Sequence, residues 1–420
     1  MSRDHDVRPN ALLAGAAWLV EPRPTRAVLG ALEAAGYGAR VVGGAVRNTL
    51  LGKPVSDIDI ATTALPEDVM RVAVAAGFAV APTGLKHGTV TVMRDRCPFE
   101  VTTLRRDVET DGRHATVAFT DDWAADASRR DFTINALYCD AGGRLYDPLG
   151  GMADLAARRV RFIGDQVARV REDYLRILRF FRFSAEYTVG APDASGLAAC
   201  VAERGGLDDL SAERVRTELL KLLAAPRAGA VLAVMFEHGL LAPVLGRVPR
   251  LAVFDRLVAI ESAIGLPPDA VRRLGALAVL TGDDAAALAD RLRLSGEEAR
   301  GLAGTIAGAR AISPALDPRA LRGELYRVGD AAFRSAVLLG WARGEAAADN
   351  GAWLAVATFA DAHPARAFPL SGRDLLALGL PPGPRVGVLL RAAEAWWVEN
   401  DFPGRDRLDA FVRALIEPRK

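Results

Sequence analysis

The hydrophobic pattern divides the chain into two parts. Between residues 26 and 140, short apolar runs of strand length alternate with segments of helical spacing. Residues 26–35 predict a helix that stops at Gly36-Tyr37-Gly38. Residues 39–42 predict a short strand, and residues 45–51, after Gly43-Gly44, a helix. A second strand is predicted at 58–62, followed by a helix with Pro66 at its first position that reaches Gly77. Two β-rich runs, 88–93 and 99–104, predict neighbours in one sheet. Residues 105–126 have poor periodicity and many charges and predict a mobile loop. Past "YDPLGG" (146–151) nearly everything reads as helices rich in Ala, Leu and Arg, broken by Pro226, Pro243 and Pro267-Pro268, with no fixed-period repeat. The pattern predicts an α/β head followed by a long helical remainder.

Composition narrows this picture. A chain of 420 residues is too long for one core, and half apolar with a quarter charged is the balance of a soluble globular protein. No apolar run reaches the ~18 residues of a membrane span. The opening MSRDHDVRPNALL lacks the apolar core of a signal peptide. Cys97, Cys139 and Cys200 are scattered without CxxC spacing, which argues against zinc and disulfides and for a reducing cytoplasm. The net charge of +1 neither demands nor forbids nucleic acid. The charge distribution is more telling: 49 of the 53 basic residues are arginine. A GC-rich genome and solvated surface account for most of them. The stretch 158–182 differs, with eight arginines against three acids, a candidate electrostatic footprint.

Candidate chemistry concentrates in four places. In "VVGGAVRNTLLGKPVSDIDIATT" (41–63), Gly43-Gly44 after a strand lets the backbone approach an anion at a helix start. Arg47 adds charge-assisted hydrogen bonds to phosphate; the plain alternative for the glycines is a tight turn. Asp57 and Asp59, spaced i, i+2 on a strand, share one face, with Ile58 and Ile60 on the other. Such a pair suits Mg²⁺ completed by water and phosphate oxygens, or else forms an acidic strand end. Glu100 on the adjacent strand is the candidate third carboxylate, against an exposed strand glutamate. In "RRDFTINALYCD" (129–140), Arg130 would reach the triphosphate while Asp131 and Asn135 shape the sugar pocket or brace it. A structural salt bridge is the alternative there.

The fourth place is "REDYLRILRFFRFSAEY" (171–187), read as one helix. Asp173, Arg176, Arg179 and Arg182 recur every three residues, so Asp173 and Arg176 are neighbours able to touch one planar ligand. An intrahelical ion pair is the alternative. A carboxylate accepts from the amino group of cytosine or adenine, and a guanidinium donates to either ring. Guanine and uracil present a carbonyl oxygen instead, and the unpaired polar groups left behind reject them.

"GGAVRNTLLG…SDIDIAT", "GLKHGTVTV", "RRDFTINAL", "YDPLGGMADL", "REDYLRILRFFRF" and "ERVRTELLKLL" together resemble, in order, the class II tRNA nucleotidyltransferases, the CCA-adding enzymes, with bacterial poly(A) polymerases as close relatives. They belong to the DNA polymerase β-like nucleotidyltransferase superfamily. The resemblance covers residues 26–225. It implies an α+β fold: a small mixed or antiparallel-sheet nucleotidyltransferase head, then an elongated all-α neck, body and tail. The corresponding boundaries are an arm at 1–25, head at 26–150, neck at 151–225, and body and tail at 226–420. Gly44 and Arg47 are implied at the triphosphate, Asp57 and Asp59 on two Mg²⁺ ions (Mn²⁺ as substitute), and Arg130 on the nucleotide. Asp173, Arg176, Arg179 and Arg182 are implied in the base-selecting pocket. Asn48 departs from the aspartate that often follows the arginine, and no His-Asp motif marks a fused phosphohydrolase domain. The activity implied is stepwise addition of C, C and A to the tRNA acceptor arm from CTP and ATP, without membrane or obligate protein partner. A poly(A) polymerase, an A-adding enzyme and a catalytically silent RNA-binding protein are the rivals.

Overall fold

The apolar run at 39–42 lies inside an eight-stranded sheet. The computed structural model describes residues 11–13, 16–19, 24–111, 114–364 and 366–416. Its strands are β1 (Ala11–Leu12), β2 (Ala39–Val42), β3 (Asp59–Thr62), β4 (Ala79–Gly84), β5 (Thr89–Arg94), β6 (Cys97–Thr103), β7 (Arg105–Asp111), β8 (His114–Phe119), β9 (Tyr138–Cys139) and β10 (Arg144–Tyr146). The sheet order is β1-β10-β9-β2-β3-β6-β5-β4. β3 and β6 pair in parallel and the other pairings are antiparallel, so the sheet is mixed. All four residues of β2 are buried, as a strand covered on both faces requires.

Helices α1 (Thr25–Ala34), α2 (Gly44–Leu50) and α3 (Pro66–Ala75) follow the pattern. Pro66 opens α3, with Glu67 and Asp68 in its first turn where the helix dipole favours acids. Residues 105–126 are not a loop. β7 and β8 form an antiparallel hairpin, and Asp122 caps α4 (Trp123–Ser128) by accepting from the backbone N–H groups of Ala124 and Ala125. A ribbon paired only with itself needs no apolar face, so its sequence carries no strand period. Between α4 and β9 the chain makes a 3₁₀ turn, Thr133–Asn135.

Next come α5 (Gly151–Ala156), α6 (Gln166–Glu172), α7 (Leu175–Tyr187), α8 (Ala194–Ala202), α9 (Ala212–Ala224), α10 (Ala228–Glu237) and α11 (Leu241–Leu245). The segment 171–187 is two helices rather than one. Asp173 is extended (φ −159°, ψ 104°) and breaks the run between α6 and α7. The buried Phe180 and Phe183 of α7 meet Phe132 and Phe162 in an aromatic core, with Phe181 edge-on to Phe180. The chain forms two units, residues 1–244 and 245–420, so boundaries at 150 and 225 fall inside the first.

The second unit contains α12 (Leu251–Ala263), α13 (Ala270–Ala278), α14 (Gly282–Leu292), α15 (Gly296–Ala311), α16 (Pro318–Val328) and α17 (Asp330–Arg343), with further helices to residue 416. Thr281 and Ser295 open α14 and α15 with reciprocal capping boxes. A Cβ at Gly308 would stand 2.7 Å from that of Ala336, so the bare glycine lets α15 lie against α17. Glu261 is buried between Arg272 and Arg273, accepting from the Nε of each at 2.7 and 2.8 Å. No helix among the described residues is long and apolar enough to cross a membrane.

Candidate active site

Gly43 has φ +72° and ψ −118°, a conformation costly for any residue with a Cβ, and from it the chain turns out of β2 into α2. This turn faces a cleft of about 460 Å³. Gly44 and Arg47 line it from α2, Asp59 from the start of β3, and Arg130, Asp131 and Asn135 from the turn after α4. Asp173, Arg176, Arg179 and Arg182 line it from the helices. Every nucleotide-binding residue expected from the sequence is therefore in one cavity.

Asp59 is the first residue of β3, and Asp57 stands two residues before it, outside the strand. Both carboxylates are exposed, and Ser56 Oγ donates to Asp57 at 2.9 Å. Ile60 is fully buried while Ile58 is only partly covered. The parallel register sets Glu100 directly opposite Asp59. Although Asp59 keeps solvent access, partial desolvation inside the cleft pushes its carboxyl above its ordinary value, Glu100 and Asp57 push the same way, and Arg130 opposes them. Among the described residues no three Cys, His, Asp or Glu side chains are gathered to hold a metal. The aspartate pair, exposed and mutually repelling, fits an Mg²⁺ that takes its other oxygens from water and phosphate.

Arg47 is buried and held by amides. Its Nε and Nη2 donate to Asn48 Oδ1 at 3.1 and 3.0 Å, and its Nη1 donates to Asn135 Oδ1. The guanidinium lies 4.3 Å from the centre of the Tyr187 ring, and the Tyr187 hydroxyl donates to Asn48 at 3.2 Å. Burial draws the Arg47 pKa down, Tyr187 opposes, and Arg182 adds to the fall.

Arg130 lines the cleft and forms the salt bridge weighed as the alternative, its Nη2 donating to the buried Asp126 at 2.9 Å. Burial acts to raise the Asp126 pKa, but Arg130 and Arg129 outweigh it and hold the carboxyl low. Asp131 accepts from Arg179 Nε at 2.8 Å and from Asn135 Nδ2 at 2.9 Å. Here too burial opposes, and Arg179 wins, keeping the Asp131 carboxyl below its ordinary range.

The intrahelical ion pair between Asp173 and Arg176, weighed as the alternative, does not form, and each side chain has other partners. Asp173 Oδ1 accepts from Leu175 N–H at 3.1 Å and Oδ2 from Arg214 at 2.6 Å. Arg176 Nη1 donates to Glu172 at 2.6 Å and to the Arg169 carbonyl at 2.8 Å. Its Nε and Nη2 make no hydrogen bond among the described residues and remain available in the cleft. Arg182 Nε approaches Glu218 at 2.6 Å, and Arg179 stands 3.6 Å from the same carboxylate. Burial lowers the Arg182 pKa, Glu218 opposes, and the nearby Arg179 lowers it further. Sequence reading missed Glu172, Arg214 and Glu218 as supports. Two of them sit in "ERVRTELLKLL", whose charged positions were the available signal.

Comparison with known proteins agrees with this geometry. The family described as "Poly A polymerase head domain" matches residues 39–161, and "Probable RNA and SrmB- binding site of polymerase A" matches residues 194–254. The mouse protein named "CCA tRNA nucleotidyltransferase 1, mitochondrial" is 34% identical over 385 residues, 89% of this chain and 86% of the mouse protein. Its zebrafish namesake is 46% identical over 207 residues, 49% of this chain and 48% of the relative. The solved structure described as Bacillus stearothermophilus CCA-adding enzyme in complex with CTP superposes with a TM-score of 0.69 at 28% identity, covering 93% of this chain and 96% of that one. A Thermotoga maritima CCA-adding enzyme complexed with tRNA, at 18% identity and TM-score 0.61, shares the fold. The chain belongs to the CCA-adding enzyme family of tRNA nucleotidyltransferases.

Proposed function

We propose that this chain adds C, C and A to the 3′ end of tRNA, taking CTP and ATP and releasing pyrophosphate. One observation carries the reading. A single cleft is lined by the Gly43-Gly44 turn with Arg47 and Asp59 on one side and by Asp173, Arg176, Arg179 and Arg182 on the other. The first set suits a triphosphate and the second a base.

Asp57 and Asp59 would hold divalent ions, two Mg²⁺ with Mn²⁺ as substitute. When bound, such ions acidify a hydroxyl and neutralise charge on phosphoryl oxygens. The chain's own residues do the rest. Glu100 faces Asp59 across the strand pair and sharpens its demand for a cation. Arg47, with no carboxylate in ion-pair contact among the described residues, offers its positive charge to the triphosphate. Arg130 stands beside the same turn, its Nη1 4.0 Å from where a Cβ on Gly43 would be, with part of its charge taken by Asp126. The Asp173 carboxylate accepts from the amino group of cytosine or adenine, and the free Nε and Nη2 of Arg176 donate to the ring. Arg214 and Glu172 hold that pair in place, and Arg179 and Arg182 brace it through Asp131 and Glu218. Catalysis is positioning with charge stabilisation.

Cys97, Cys139 and Cys200 are free thiols, which supports a reducing compartment, the cytoplasm in our reading.

The test uses purified protein, Mg²⁺ and tRNA transcripts lacking three, two or one of the terminal nucleotides, each given one labelled triphosphate. C addition to the first two and a single A on the third supports CCA addition. A single A with no C addition makes it an A-adding enzyme, and a long ladder of A a poly(A) polymerase. No incorporation by folded protein overturns the reading.

A further inference from the structure

Arg169 stands in the last turn of α6 and outside the cleft lining, yet its buried side chain is bonded toward both sides of the cleft. On one side Nη2 donates to two successive backbone carbonyls, that of Arg129 at 2.5 Å and that of Arg130 at 2.6 Å. These are the first carbonyls past the last residue of α4, where a helix leaves acceptors unpaired and favours a cation. On the other side Nη1 donates to Glu172 Oε2 at 2.5 Å, and the same oxygen accepts from Arg176 Nη1 at 2.6 Å. The Arg169 carbonyl accepts from that Arg176 nitrogen as well, at 2.8 Å.

Both base-reading residues therefore hang from the end of α6. Asp173 directly follows that helix, its N–H donating to the Val170 carbonyl at 3.2 Å, and Arg176 has both of its acceptors there. Arg130 hangs from the end of α4, its side chain held by Asp126 and Tyr138 and its carbonyl by Arg169. α6 packs on α7 and α8, and the Arg169 side chain reaches from it to partners 39 and 40 residues back in the chain. Capping α4 needs only the Nη2 side of the guanidinium. The Nη1 side meets the carboxylate that aims Arg176, and capping gives no reason for that second bond.

We infer that Arg169 is a positioning residue that sets the base-reading pair, Asp173 and Arg176, at a fixed separation from Arg130 on the triphosphate side. This rests on the reading of the cleft as a nucleotide site. A nucleotide gains from binding at both ends at once only as far as the distance between the two ends is set beforehand. With Arg169 in place, a base that fits brings its triphosphate to Arg130 in register, and a base that does not fit leaves the triphosphate displaced. Without it each side still binds its own part of the ligand, and the gain from joining the parts is lost.

The test compares ligands that span the cleft with one that fills a single side. Calorimetric titration of the full-length protein with CTP, UTP and inorganic tripolyphosphate, each with Mg²⁺, is run on wild type, R169Q and R169K. Steady-state addition of C to a tRNA transcript lacking the terminal CCA is measured beside it. In R169Q the affinity for CTP should fall about tenfold or more and the preference for CTP over UTP should shrink with it, while tripolyphosphate binds as in wild type. The kcat/KM for C addition should fall about a hundredfold, as misplaced reactants do. R169K keeps the positive charge at the end of α4 but has one nitrogen and no fork, so it should regain the wild-type thermal midpoint and stay poorly selective. If R169Q does not fold, R169K decides alone. A lower thermal midpoint with KM for CTP and the CTP-over-UTP preference unchanged would make Arg169 a helix cap and overturn the proposal. An equal loss of tripolyphosphate and CTP affinity would overturn it too. A wild-type protein that prefers CTP but adds no C to tRNA overturns the activity reading, and the titrations then judge Arg169 by themselves. A wild-type protein with no preference between CTP and UTP overturns both.

Discussion

Arg47 shows how a cleft keeps a charge in hand. A carboxylate on that guanidinium would spend its attraction inside the protein; Asn48 and Asn135 fix its direction and leave its charge for the ligand. The aspartates make the opposite demand. Asp57→Ala should abolish addition of every nucleotide, a loss of about a thousandfold or more in kcat, with unchanged circular dichroism because the side chain is exposed. Asp59 adds a pH signature. Its carboxyl is raised by burial and then by Glu100, so protons compete with the metal at a higher pH than for an ordinary aspartate. Mn²⁺ affinity measured against pH should fall as pH drops, and in Glu100→Gln the midpoint should move to lower pH. An unmoved midpoint would remove Glu100 from the site. Asp131 carries the reverse sign. Its pKa is depressed in the fold, so its contribution to stability is full above the unfolded value and is lost as pH falls through the folded one.

Elements decide where these residues stand. The break between α6 and α7 takes Asp173 off the helix and hands it to Arg214, and Tyr174 packs beside it against Gly206. A Cβ on Gly206 would lie 2.1 Å from the Tyr174 ring. Gly206→Ala should displace that ring, cost about 1–3 kcal/mol by overpacking and disturb base choice. Asp173→Ala should blur selection between correct and incorrect triphosphates while leaving turnover, read by misincorporation of GTP and UTP. A fully selective Asp173 variant would refute its reading role. Much of this scale was legible in the pattern: β2, β3 and α3 are local, and the Gly-Gly turn and the Asp-x-Asp spacing carry their own geometry. The break at Asp173 was not, because Val170, Tyr174, Ile177 and Phe181 keep a helical period across it. The partners of the arginine row were not legible either. Arg179 finds Asp131 at 48 residues' distance and Asp173 finds Arg214 at 41, and local spacing says nothing about such pairs.

At the scale of the whole molecule, two units each own a core, which predicts two unfolding transitions. Glu261, buried between Arg272 and Arg273, anchors the second. Glu261→Gln leaves two guanidinium groups short of a counter-charge and should cost about 3–5 kcal/mol. Calorimetry should show one transition falling in temperature while the other, raised by CTP and metal, stays put. A single transition that moves as one would mean that the two cores do not unfold independently.

Among the described residues the cleft is lined by arginines and has no lysine: Lys53, Lys86 and Lys221 lie outside its lining. Its positive charge is therefore beyond the reach of amine chemistry. Acetylation in the cell or acylating reagents in the tube can cover these three lysines without removing a cation from the cleft wall, whereas a dicarbonyl reagent that condenses with guanidinium groups strikes the wall itself, and bound CTP would shield it.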